Sequence, residues 1–86
     1  MKKIVDYNII AYLLYNNSEL KYSLSLQENG AVAFVFDYND IEQLMHEYNH
    51  FYKNGKLPFY IDLKQFIQLQ QMIRKIAMAY KEEKEN

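Results

Sequence analysis

The chain has 86 residues and a mass of 10.4 kDa, with ten basic against eleven acidic side chains, half of its residues apolar, and no cysteine. That length fits one small domain, and the missing cysteine excludes a disulfide framework, a thiolate zinc site and a cysteine nucleophile. A net charge of −1 lacks the basic footprint of a typical nucleic-acid binder. Lys, Tyr, Asn and Ile make up 34 of the 86 residues, whereas Ala, Gly, Pro and Arg make up nine. The first group has AT-rich codons, so nine tyrosines reflect genome composition before they reflect an interface.

No export signal is expected. Asp6, Asn8, Asn16 and Asn17 interrupt the segment after Met-Lys-Lys, and the longest apolar run, Ile9 to Tyr15, is seven residues. A membrane span needs about 20, so a cytoplasmic protein without membrane contact is expected.

In chain order, residues 2–5 form a candidate short strand, and Asp6 can cap a helix from Tyr7 to about Asn16. That helix is apolar around nearly its whole circumference, which requires a central position in the core or cover from another chain. Leu20 to Leu26 alternates as a half-buried strand, with Leu20, Tyr22, Leu24 and Leu26 on one face. Asn29-Gly30 supplies positive φ angles for a tight turn, and Ala31 to Phe36 returns as the second strand of a hairpin. Asn39 and Glu42 resemble a capping box opening a second helix, which Asn54-Gly55 ends. After a linker containing Pro58, Asp62 can cap a last helix reaching about Glu82. The predicted fold is α+β over residues 1–86: a hairpin, with residues 2–5 as candidate third strand, packed on three helices in the order (β)-α-β-β-α-α.

His46-Glu47-Tyr48-Asn49-His50 matches H-E-x-x-H, in which two histidines one helical turn apart hold zinc and the glutamate polarises water. A zinc-dependent hydrolase is therefore one functional alternative. Helical phase opposes it. With Ile41 at 0° and about 100° per residue, the apolar positions Leu44, Met45, Tyr48 and Tyr52 fall within about 60°, and His46 and His50 near 140° and 180°. Both histidines then face outward, and Asp62, the nearest candidate third ligand, is better used as a cap. A surface site for a divalent metal is a nearer expectation than a protease, and no resident cofactor is expected.

Asp37 and Asp40 read as helix N-terminal charges rather than acid–base catalysts. Lys53, Lys56, Lys64, Arg74 and Lys75 form a modest basic group. Weak nucleic-acid binding is a further alternative, with acids interspersed against it. On the last helix the apolar arc is broader than one buried face. Leu69, Met72, Ile73, Ile76 and Tyr80 are the predicted partner-binding residues, serving a protein partner or a homodimer.

Asp6 to Leu14 (with Ala11 one position late), Phe34-Val35-Phe36-Asp37, the segment Phe51 to Gly55, and Asp62 with Phe66 carry a resemblance. Together they resemble a family of small proteins from low-GC Gram-positive bacteria and their phages. The resemblance implies an α+β fold and a phage or mobile-element setting, and carries over no catalytic residue. The expectation is a non-enzymatic interaction protein, with an accessory role of modulating or inhibiting a host protein.

Overall fold

A computed structural model describes residues 1–53 and 62–85. Its elements run β1 (Lys2–Ile4), α1 (Tyr7–Asn16), β2 (Ser23–Leu26), β3 (Val32–Phe36), α2 (Tyr38–Lys53) and α3 (Leu63–Glu85). This is the α+β order read from the sequence, and the candidate third strand is present. The strands form one antiparallel sheet in the order β1-β3-β2, so β3 is central.

The register explains the sheet's two faces. Ile4 and Leu24 both pair with Phe34, and Leu26 pairs with Val32, so one face is lined by large apolar side chains. Phe34, Phe36, Val32 and Ile4 are buried there, and Tyr22 packs its ring against Phe34 and Phe36 at centroid distances of 5.0 and 5.9 Å. β2 begins at Ser23 rather than Leu20. Continued backward, its register would set Leu20 opposite Tyr38, where the chain has already entered α2. Leu20 is buried nonetheless.

The hairpin turn differs from the predicted one. Among the described residues no non-glycine has positive φ; Gly30 alone carries it, at 87°. Gly30 N–H donates to Gln27 O at 3.0 Å, and Gln27 N–H donates to Ala31 O at 2.7 Å. Asn29 stays on the ordinary side of φ space and uses its side chain instead, accepting from the Ala31 N–H at 3.0 Å.

α1 has the Asp6 cap expected of it, with the carboxylate accepting from the Asn8 N–H at 2.8 Å. Ile10, Ala11, Tyr12, Leu13 and Leu14 are buried in succession, because α1 packs against α3, α2 and β1 together. Those five residues are therefore covered within the chain, while Tyr7, Ile9 and Tyr15 stay half-buried.

α2 starts two residues earlier than the Asn39–Glu42 pattern suggests. Asp37 takes the capping position, accepting from the Asn39 N–H at 3.0 Å through its side chain. The predicted Asn54-Gly55 stop and the Pro58 linker lie outside the described residues. Asp62 caps α3 as expected: its carboxylate accepts from the Gln65 N–H at 3.2 Å and its carbonyl from the Phe66 N–H at 2.9 Å.

α3 runs antiparallel to α1. Its start meets the end of α1 through Asp62 and Tyr15, and Gln70 bonds Asn8 near the beginning of α1. Its second half continues past α1 onto β2 and β3, bringing Lys81 beside Gly30. Ile73 and Ala77 are the fully buried residues of this helix. Among the described residues no helix is long and apolar enough to cross a membrane.

Candidate functional site

A groove of about 550 Å³ opens between the C-terminal end of α1 and the first half of α3. Its apolar lining is Leu14, Tyr15, Leu69 and Met72, and Ser18, Gln65 and Gln68 supply the polar lining. The groove exists because α1 ends where α3 begins. Asn17 closes α1 by donating its backbone N–H to Leu13 O at 2.9 Å, and the chain then turns away. Tyr15 fixes the corner, accepting from the Asp62 N–H at 2.9 Å while its ring meets Phe66 edge-on at 6.3 Å.

The predicted partner-binding residues separate on the structure. Leu69 and Met72 line the groove, and Met72 is 44% exposed. Ile76 and Tyr80 are half-buried and pack against the core beside the sheet. Ile73 is 0% exposed, so it belongs to the core and presents no surface to a partner. The physical reason is phase. The 3-4 spacing of Phe66, Leu69, Ile73, Ile76 and Tyr80 is spent on α1 and the sheet, with Ile73 at the centre of the contact. Leu14, Tyr15 and Ser18 are site residues that the sequence does not single out. The apolar circumference of α1 is their signal, without indicating which side stays open.

The H-E-x-x-H segment lies on α2, as its spacing requires. Ile41 is buried, Leu44, Met45 and Tyr48 are half-buried, and His46 and His50 are exposed, so the outward phase of the histidines is as expected. Glu47 is oriented differently from the pair. Its carboxylate stands beside the Tyr12 phenol of α1 and accepts from Gln43 Nε2 at 3.4 Å. Burial, and then the Glu47 charge, raise the Tyr12 phenol above its ordinary value of 10.0. Tyr12 also meets Tyr48 edge-on, with ring centroids 5.3 Å apart. Among the described residues no group of three or more His, Cys, Asp or Glu is placed to hold a metal ion.

Of the five basic residues in the predicted group, three are described with their side chains. Lys64, Arg74 and Lys75 are exposed along α3, interspersed with Ile67, Gln71 and Met78, while Lys56 lies outside the described residues. No family model, curated protein or solved structure matches the chain.

Proposed function

We propose that this protein is a non-enzymatic interaction module that docks an apolar segment of a partner protein in the groove between α1 and α3. The observation that carries this reading is Met72, 44% exposed in a groove it shares with Leu14, Tyr15 and Leu69. An exposed apolar lining with a polar border is the surface character of interaction sites. A second copy of this chain is the alternative occupant of the same surface. The resemblance to small phage-associated proteins supports an accessory role, in which the partner is a host protein whose surface is occupied.

The test is affinity capture from a low-GC Gram-positive host lysate with wild type, Met72→Glu and Met78→Glu. A partner retained by wild type and by Met78→Glu, and lost by Met72→Glu, supports the groove. Equal retention by all three removes it. Light scattering on the purified wild-type protein separates self-association from capture of a foreign chain.

A further inference from the structure

The geometry points to a two-histidine chelate for a divalent transition-metal ion on the outer face of α2, formed by His46 and His50. α2 is continuous from Tyr38 to Lys53, so residues 46 and 50 stand one helical turn apart on the same side. At that spacing Cβ atoms lie about 5–6 Å apart, within reach of a common ion for two imidazoles. Both residues are exposed, so a metal reaches them without opening the fold. His46 also borders a depression of about 470 Å³ whose other lining residues, Asn39, Glu42, Gln43 and Glu47, come from the same helix.

Imidazole nitrogen selects Zn²⁺, Ni²⁺ and Cu²⁺ over Mg²⁺ and Ca²⁺, which prefer oxygen. A helix holds the two ligands in fixed relation, so binding one presents the ion to the other at high effective concentration. Glu47 borders the same depression as His46, stands beside Tyr12 of α1 and accepts from Gln43 Nε2, and the chelate is assigned to the two imidazoles alone. The coordination positions beyond the two imidazoles are left to water.

The experiment is calorimetric titration of the full chain, prepared without a polyhistidine tag, with ZnCl₂, NiCl₂ and MgCl₂. Wild type, His46→Ala, His50→Ala and Glu47→Gln are compared, and circular dichroism checks that each folds. Wild type is expected to bind one zinc or nickel ion per chain and to ignore magnesium. Each alanine variant is expected to lose affinity by on the order of 10²-fold, the consequence of removing one arm of a chelate. Glu47→Gln is expected to bind as wild type does. Metal is also expected to raise the unfolding midpoint of wild type and not of either alanine variant, because the folded helix binds it preferentially. Wild-type affinity in either alanine variant overturns the chelate. An equal loss in Glu47→Gln overturns the division of roles between the histidines and the glutamate.

Discussion

The Tyr15 hydroxyl accepts a hydrogen bond from the backbone N–H of Asp62 at 2.9 Å, joining the end of α1 to the start of α3 across 47 residues of sequence. Asp62 serves both sides of that junction, since its carboxylate and carbonyl also close the first turn of α3. Tyr15→Phe keeps the ring against Phe66 and removes the acceptor, and is expected to lower stability by about 0.5–1.5 kcal/mol. Asp62→Ala removes the side-chain cap and is expected to cost about 0.5–2 kcal/mol. Urea denaturation of the two single variants and the double variant checks both. The double variant should lose less than the sum, because the two changes loosen the same corner.

How far the fold is legible in the sequence depends on where each signal sits. Asp6 and Asp62 announce their helices because a cap is a local hydrogen bond, complete within three residues of chain. The alternation of Leu24 and Leu26 against Val32, Phe34 and Phe36 announces the buried face of the sheet for the same reason. The start of α2 is harder to place, because Asn39 and Glu42 have capping-box spacing while Asp37 supplies the actual cap two residues earlier. The groove has only partial linear signals, the apolar circumference of α1 and the broad apolar arc of α3. It joins Leu14 and Tyr15 to Leu69 and Met72 across more than fifty residues, and only the antiparallel packing of α1 on α3 brings them together. Periodicity identifies the apolar stripe of α3, yet periodicity alone does not distinguish a seam turned to the protein's own core from one turned to a partner.

Ile73 and Met72 are neighbours in sequence with opposite environments, 0% and 44% exposed. Ile73→Ala leaves a cavity between α1, α3 and the sheet and is expected to cost about 2–5 kcal/mol. That is a large fraction of the stability of a small domain. Met72→Glu is expected to change stability by less than about 0.5 kcal/mol, since a surface residue gives up little packing. Thermal unfolding of the pair checks the assignment. A large loss in Met72→Glu would place that residue in the core and close the groove to a partner.

Tyr12 sets an alkaline limit on stability. Its phenol is raised above 10.0 in the folded state by burial and by the Glu47 carboxylate, whereas the unfolded chain leaves it at the ordinary value. The contribution is therefore fully present below pH 10 and is lost as pH rises through the folded-state value, because the unfolded chain releases the proton more readily. Tyr12→Phe cannot ionise and is expected to flatten the fall in stability above about pH 10. Denaturant melts of wild type and Tyr12→Phe at pH 8 and pH 11 check the slope. In wild type Tyr12 should also give a late component in the ultraviolet absorbance titration, and that component should vanish in the variant. Glu47→Gln should advance it without abolishing it, since burial is the larger cause.

Gly30 separates backbone strain from side-chain crowding at the hairpin turn. A Cβ built there would meet Lys81 Nζ at 3.4 Å and Lys81 Cε at 4.0 Å, ordinary contact with the end of a flexible side chain. Crowding therefore contributes little, and the φ of 87° decides the outcome. Gly30→Ala is expected to cost about 1–2 kcal/mol, the strain of a left-handed L-residue. Gly30→Asn should cost less, because asparagine tolerates that region better. Lys81→Ala introduced alongside Gly30→Ala supplies the control. If the strain is in the backbone, emptying the space beside residue 30 leaves the Gly30→Ala loss unchanged in urea denaturation. Recovery of stability in the double variant would instead assign the loss to contact with α3.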